Sequence, residues 1–275
     1  MSEPVATPRL VVSDVDGTLV DKQKVLTPGT ISAVGRLRDA GIGFTIISAR
    51  PMSGVMPIAD ALELDEPIGA FNGGIVFRLS GEIIEHHRIP ADIARGIWDT
   101  VGDAKVDRWV FADDRWYASS GEGTHVEHER VASNQAPIIT TDFDDVLSRA
   151  DKITFVSDDE PYLRSIHSEV APAFGERATV VQSQTYYLDV TALEANKGTG
   201  VAELAEAFGV PLAETAAIGD QANDIPMLAR VGLPIVMGNA PDAMREKAAH
   251  VTRGNDEDGV AHAIDTIILK GHENS

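Results

Sequence analysis

The sequence contains no cysteine in its 275 residues. Disulfides, thiolate metal sites and a cysteine nucleophile are therefore excluded, and the composition fits a reducing compartment, so we expect a cytoplasmic protein. Basic residues are also scarce, because 23 Lys and Arg face 43 Asp and Glu and leave a formal charge of −20. That acidic excess would repel nucleic-acid phosphates and anionic lipid surfaces. We expect neither nucleic acid nor a membrane as a partner.

Long hydrophobic runs are missing as well. No apolar stretch approaches the roughly 18 residues that cross a bilayer, and the N-terminus lacks the basic-then-apolar pattern of a secretion signal. Hydrophobic residues make up 43% and charged residues 24% of the chain, which is ordinary for a globular protein. The length allows one large domain or two modest ones, and nothing in the sequence indicates an oligomeric state.

The first and last thirds of the chain alternate apolar runs with helical patterns. Runs at 10–13, 44–47 and 68–71 predict strands, and between the first two Thr27 and Pro28 predict the start of a helix. The last third repeats this order, with apolar runs at 216–218 and 234–237. Repeated β–α units predict an α/β fold, a Rossmann-like, doubly wound parallel sheet with helices on both faces.

The middle of the chain has a different pattern. All three tryptophans and all four tyrosines lie between 87 and 189, among short strand and helix patterns. We therefore predict an inserted α+β cap domain at 87–189, and a core built from 1–86 and 190–275. The rings either line a substrate surface or fill the core of a small sheet, and the second interpretation is favoured for any single ring.

Two carboxylates, Asp14 and Asp16, follow the first predicted strand and precede Gly17. At the carboxyl edge of a parallel sheet one carboxylate can attack a substrate while the other moves protons. An Asp-Gly turn that merely solvates a loop is the alternative. A calcium loop is excluded, because aligning Gly17 with its sixth position places Val12 at the first ligand position and Gln23 where a glutamate is needed.

A second acidic cluster, Asp220 and Asp224, also follows an apolar run. Two further carboxylates beside the first pair would raise one another's pKa values unless a cation lay between them. Mg²⁺ satisfies this requirement with one or two carboxylates, waters and phosphate oxygens. The alternative is a surface loop in which Asp224 caps the next helix.

Ser48 and Lys197 complete a candidate phosphate site. Ser48 ends the second predicted strand, so its hydroxyl and the following N–H groups can meet an anion. Lys197 precedes a Gly-Thr-Gly segment and can supply a compensating cation. Considered alone, the serine is more often a helix cap and the lysine a solvated side chain.

These residues together resemble the four motifs of the haloacid dehalogenase superfamily. The matching segments are DVDGTL at 14–19, the strand ending at Ser48, Lys197, and GDQANDIPML at 219–228, in the usual order. The chain is similar to the Cof-type branch, whose members are Mg²⁺-dependent phosphatases with a type IIB cap inserted after the second motif. Supporting signatures are Asn-Gly-Gly at 72–74, Met-Gly-Asn-Ala at 237–240 and the segment 255–260.

The resemblance implies a role for each matched residue. Asp14 corresponds to the nucleophile and a metal ligand, and Asp16 to the general acid/base, whose backbone carbonyl also binds the metal. Asp220 corresponds to the remaining carboxylate ligand, and Asp224 to a residue that supports the ligands. The groups implied for phosphate binding are the N–H groups of Val15 and Ala49 and the side chains of Ser48, Lys197 and Asn223. Ala49 departs from the family pattern, which has glycine there.

The implied function is Mg²⁺-dependent hydrolysis of a small-molecule phosphate ester, such as a sugar phosphate, through an aspartyl-phosphate. The inserted domain is expected to select the leaving group. Two alternatives stay open: phosphoryl transfer to a second sugar by a phosphotransferase or mutase, and a non-enzymatic signalling module that stores a phosphoryl group on aspartate.

Overall fold

The computed structural model describes residues 8–64 and 66–270. The segment on which the expected absence of a secretion signal depends falls largely outside this range. Within it the chain forms two compact units. The first takes its residues from 8–49, 56–85 and 196–270, and the second comprises Arg50–Val55 and His86–Ala195. The assignment of 87–189 as a cap that selects substrates stays a prediction.

The strands fall into three sheets. In chain order they are β1 (Leu10–Ser13), β2 (Gly43–Ile46), β3 (Ile68–Ala70), β4 (Ile75–Phe77), β5 (Ile83–His86), β6 (Asp107–Ala112), β7 (Arg115–Ala118), β8 (Ile138–Ile139), β9 (Lys152–Val156), β10 (Thr179–Gln184), β11 (Tyr187–Thr191), β12 (Thr215–Gly219) and β13 (Leu233–Val236).

The α-helices are α1 (Pro28–Asp39), α2 (Met52–Ala61), α3 (Ala91–Val101), α4 (Val126–Ser133), α5 (Asp144–Leu147), α6 (Glu160–Phe174), α7 (Lys197–Ala207), α8 (Ile225–Leu228), α9 (Asp242–Arg245) and α10 (Gly259–Ala263). As predicted, Thr27 caps α1, its side chain accepting a hydrogen bond from the Thr30 N–H. Among the described residues, no helix combines the length and the apolar character that a bilayer span needs.

The main sheet of the first unit is parallel, with strand order β13-β12-β1-β2. Leu10 and Val12 of β1 pack with Val201 and Leu204 of α7 on one face. Val11 alternates with them and is equally buried, so both faces of the sheet are covered. The predicted α/β fold with a parallel core sheet is confirmed.

The third predicted strand does not extend that sheet. β3 pairs antiparallel with β4 in a small sheet of order β3-β4-β5, and a single parallel bridge from Ile47 to Gly69 links it to the segment after β2. The cause is local, because Phe71 and Asn72 have φ of 49° and 60°. These left-handed residues reverse the chain immediately after β3.

The second unit contains a mixed sheet of order β10-β11-β9-β6-β7-β8. One face packs against α3, α5 and α6, through side chains such as Val110, Phe155 and Leu188. The residues that alternate with these along the strands, including Trp109 and Trp116, form the opposite face. Both tryptophans are nonetheless almost fully buried.

Candidate active site

Two of the predicted acidic residues follow adjacent strands of the parallel sheet. Asp14 comes directly after β1 and Asp220 directly after β12, and the Asp14 N–H donates to the carbonyl of Ile218, 2.9 Å away. The parallel register therefore brings both carboxylates to the same sheet edge, as the sequence predicted. Asp14 is 5% exposed and Asp220 2% exposed, so neither charge is solvated by bulk water.

Lys197 lies between two carboxylates. It is the first residue of α7, whose N-cap Asn196 accepts a hydrogen bond from the Thr199 N–H. The Lys197 ammonium donates to Asp14 Oδ1 and, at 2.5 Å, to Asp224 Oδ1. The side chains of Lys197 and Asp224 have no exposed surface. This lysine therefore neutralises charge inside the site and is not a solvated surface residue.

Two glycines allow α7 to approach closely enough for this contact. Gly73 has φ of +90°, and a Cβ on it would lie 2.6 Å from the Cα of Gly200. Any larger residue at either position would push the start of α7 away from the 71–73 turn. Backbone packing against Gly73 thus explains the second glycine of the Gly-Thr-Gly segment, Gly200.

Asp224 shapes the loop that carries Asp220. Its Oδ2 accepts hydrogen bonds from the N–H groups of Asp220 and Gln221, both at 2.8 Å. Its other oxygen accepts from Lys197. Asp224 therefore fixes the position of Asp220 and of the lysine at the same time, which fits the supporting position that the resemblance implied.

Asp220 is oriented by three side chains. Its Oδ1 accepts from the Thr18 hydroxyl at 2.8 Å, and its Oδ2 accepts from the amides of Gln221 and Asn239 at 3.0 and 3.3 Å. Gly17 closes the other side, since a Cβ there would lie 2.5 Å from an Asp220 oxygen and the residue has φ of +84°. The glycine of the DVDGTL segment is required both by its backbone conformation and by the carboxylate beside it.

The predicted phosphate-binding residues occupy the neighbouring loops. Ser48 follows β2 and is buried, and its backbone is held by Gly69 and Asn72. Ala49 comes next and is exposed, whereas Val15 is fully buried directly after Asp14. The exposed Asn223 donates from its amide to Asn72 Oδ1 at 3.2 Å. Their proposed contacts with phosphate stay a prediction.

Asp16 is more open than Asp14. Its side chain is 33% exposed, and Oδ1 forms an ion pair with Lys24 Nζ at 2.7 Å. The difference in exposure is compatible with the roles implied for the two residues. A nucleophile such as Asp14 needs fixed geometry, whereas a proton carrier such as Asp16 needs access to water and to a leaving group.

Burial and crowding set the electrostatics of the site. Burial raises the pKa of Asp14 to about 8; Lys197 opposes this shift, and Asp224 and Asp220 add to it. Burial likewise raises the pKa of Asp220. Burial disfavours the charge on Lys197, but Asp14 and Asp224 outweigh it and raise the pKa of that ammonium. The negative charge of the three carboxylates is thus larger than the positive charge of Lys197.

The donor set fits a hard divalent cation. Asp14, Asp220 and Asp224 each place a carboxylate oxygen within 4.8 Å of the others. Oxygen ligands of this kind are the ones that Mg²⁺ and Ca²⁺ select, and a cation there would offset the repulsion that adds to the effect of burial in raising the pKa values of Asp14 and Asp220. The structure thus supports a divalent-metal site at this edge.

Sequence reasoning missed several residues that build the site. Thr18, Gln221, Asn239 and Lys24 all contact the acidic residues, yet none was given a role. The signal for Asn239 was present in the Met-Gly-Asn-Ala signature at 237–240, whose purpose only the fold reveals. Its amide also donates to the Gly17 carbonyl at 2.8 Å, so it ties two distant loops together.

Comparison with known proteins identifies the class. The family model of haloacid dehalogenase-like hydrolases matches residues 11–264, and the chain belongs to this family. The predictions of the family and of a phosphoester-hydrolysing enzyme are confirmed.

Particular relatives resemble the chain over nearly its whole length. An HMP-PP phosphatase of Escherichia fergusonii is 31% identical over 247 residues, which cover 88% of this chain and 89% of that protein. A haloacid dehalogenase-like hydrolase of Bacteroides thetaiotaomicron has 27% identity and a TM-score of 0.87, with 94% of this chain and 99% of that chain covered. A HAD subclass IIB sugar phosphatase has 22% identity and a TM-score of 0.78, with 94% and 98% covered, and shares the fold.

Proposed function

We propose that the protein is a Mg²⁺-dependent phosphatase that hydrolyses small phosphate monoesters through a phosphoryl group on Asp14. The observation that carries this proposal is the triad of buried carboxylates around one lysine at the ends of β1 and β12. Such an excess of negative charge disfavours folding unless a cation completes the site.

Asp14 is the proposed nucleophile. Its backbone is fixed by the hydrogen bond to Ile218, and Lys197 holds one of its oxygens. A carboxylate oxygen attacks phosphorus in line, and the bond from phosphorus to the leaving alkoxide breaks. Lys197, Ser48, Asn223 and the N–H groups of Val15 and Ala49 are proposed to hold the phosphoryl oxygens. Fixed positive charge at these oxygens is expected to supply most of the rate gain.

Asp16 is the proposed proton carrier for both half-reactions. As an acid it protonates the leaving alkoxide, and as a base it then takes a proton from the water that attacks the phosphoryl group. Its partial exposure supports this role, because a proton shuttle must reach water.

The proposed magnesium ligands are the carboxylates of Asp14 and Asp220 and the backbone carbonyl of Asp16. When bound there, Mg²⁺ supplies positive charge that offsets the repulsion between the phosphate dianion and the nucleophile. Asp224 and Thr18 keep the Asp220 loop in place for this purpose.

We further propose that the substrate is a small phosphorylated metabolite, that the second unit selects its leaving group, and that the enzyme acts in the cytoplasm. The relatives named above support the first of these points, since they include an HMP-PP phosphatase and a sugar phosphatase.

A panel of phosphate monoesters, assayed with and without Mg²⁺, tests the proposal. We expect turnover that requires the divalent ion and a loss of about 10⁴-fold or more in Asp14→Asn, as for other enzymes that lose their nucleophile. Val11→Ala is a suitable control, since it shortens a buried apolar side chain of the same strand and leaves every carboxylate in place. Undiminished hydrolysis by Asp14→Asn would reject the assigned nucleophile. Phosphate recovered on an added sugar, not in water, would favour a phosphotransferase.

A further inference from the structure

Lys24 is a charged neighbour of the site that none of the four motifs contains. Its ammonium lies 2.7 Å from Asp16 Oδ1, and the two side chains are 37% and 33% exposed. We propose that Lys24 is a positioning residue that orients the Asp16 carboxylate for hydrolysis of the phosphoryl-Asp14 intermediate. This inference rests on the proposed function and adds a residue to its second half-reaction.

The backbone at Lys24 indicates that its side chain is there for a reason. Its φ is +63°, in the left-handed region that glycine and asparagine adopt more easily. The turn is held by the Asp21 carboxylate, which accepts from the N–H groups of Gln23 and Val25 at 2.9 Å. The Lys24 N–H donates to the Asp21 carbonyl at 3.0 Å. A long cationic side chain at a strained backbone position indicates that a contact of that side chain, here the ion pair with Asp16, offsets the strain.

The turn is also anchored to the rest of the first unit. The Asn255 amide donates to the Val20 carbonyl at 2.9 Å, and the Lys22 N–H donates to Asp256 Oδ1 at 3.1 Å. Val20 in turn forms a backbone bridge with Asp16. The ammonium of Lys24 is thus presented to Asp16 by a turn whose backbone is held at two positions, Val20 and Lys22, shortly before the lysine.

The contact fits one half-reaction better than the other. An ammonium bound to Oδ1 complements a carboxylate, which is the form of Asp16 that accepts a proton from water. In that step the water oxygen bonds to phosphorus, the bond from phosphorus to the Asp14 oxygen breaks, and its electron pair returns to the Asp14 carboxylate. The water proton goes to Asp16, while Lys24 keeps its own protons and restricts the rotation of the acceptor.

Two substitutions at position 24 separate this role from a structural one. Lys24→Gly removes the ammonium but suits the positive φ, so the turn is expected to keep its shape. Lys24→Arg keeps a cation at the same place. Lys22→Met is the matched control, since it removes a cation of the same turn that pairs with Asp256 and not with Asp16.

The assay is turnover of p-nitrophenyl phosphate with Mg²⁺, because its leaving group needs little protonation. For Lys24→Gly we expect an unfolding midpoint close to wild type, kcat lowered about tenfold or more, and KM lowered in parallel, so that kcat/KM is unchanged. A burst of nitrophenolate approaching one per active site should appear. Lys24→Arg should recover most of kcat, and Lys22→Met should match wild type.

Other results overturn the inference in distinguishable ways. If wild type turns over and Lys24→Gly has the same kcat, or loses kcat/KM as much as kcat without a burst, Lys24 does not position the base. If wild type hydrolyses no monoester of the panel, the proposed function is rejected, and the inference about Lys24 is rejected with it.

Discussion

Both units bury charged side chains, but they balance them differently. At the sheet edge of the first unit, Lys197 pairs with both Asp14 and Asp224, and Asp220 lies nearby. On the sheet of the second unit, Lys152 forms an ion pair with Asp189 at 3.2 Å, and the charge of Glu129 also acts on this lysine. The hydroxyls of Thr154 and Ser183 donate hydrogen bonds to the Asp189 carboxylate, at 2.7 and 2.6 Å. In the first unit three buried carboxylates cluster beside one lysine, whereas in the second the buried carboxylate is also satisfied by neutral hydroxyls, and we interpret the first arrangement as a site for chemistry and the second as support for the fold.

The same substitution should destabilise the protein in both regions but lower kcat in the first only. Lys197→Met removes the cation between two buried carboxylates, so we expect kcat to fall by about 10²–10³-fold, the usual cost of one stabilising donor. Stability should fall too, by about 3–5 kcal/mol, because the carboxylates lose their partner. Steady-state kinetics at saturating substrate and urea unfolding measure the two effects. A variant with wild-type kcat would break the comparison.

Lys152→Met should weaken the fold and spare the chemistry. The pair with Asp189 is largely buried, so its loss should cost about 2–3 kcal/mol in urea unfolding. The kcat for p-nitrophenyl phosphate, corrected for folded protein, should stay within about twofold of wild type. Adding Asp189→Asn should recover part of the stability, since the orphaned charge is then gone. A large loss of kcat in the single variant would instead assign catalytic charge to the second unit.

The smallest effect is expected from Trp109→Phe. The Nε1 of Trp109 has no hydrogen-bond partner within residues 8–64 and 66–270, although the ring is 1% exposed. The phenyl ring keeps most of the packing against Trp116, 5.0 Å away between centroids, and removes an unsatisfied donor. We expect a stability change within about 1 kcal/mol, compared with about 3–5 for Trp109→Ala. Equal losses in both variants would show that the indole N–H is satisfied.

The two regions also differ in how far the sequence predicted them. Asp14, Asp220 and Ser48 each follow a strand of a parallel sheet, so short-range spacing and one general rule predicted where they meet. Lys197 was a weak candidate from its position alone, and the resemblance to a family strengthened it and added the roles. Thr18 and Asn239 were missed, because their contacts join residues about 200 and 20 positions apart, and only the fold creates them.

In the second unit the ion pair between Lys152 and Asp189 depends on strand register. The two residues lie on neighbouring strands, β9 and β11, where Asp189 stands opposite Thr154. No local pattern fixes such a register, because several alignments of short strands satisfy the same alternation. The pairing of β3 with β4 was missed although Asn72-Gly73 is a turn signal, since the left-handed backbone of Phe71 has no sequence signal and a turn alone does not specify which sheet β3 joins.

The most direct test of the account is to find the phosphoryl group on Asp14. Wild-type protein is mixed with Mg²⁺ and p-nitrophenyl phosphate, quenched in acid during turnover and reduced with borohydride, which converts an aspartyl-phosphate to homoserine. Mass spectrometry of the peptide that contains Asp14 and Asp16 should then show homoserine at position 14 alone. Sustained turnover with both aspartates unmodified, or with homoserine at position 16, would contradict the proposed mechanism.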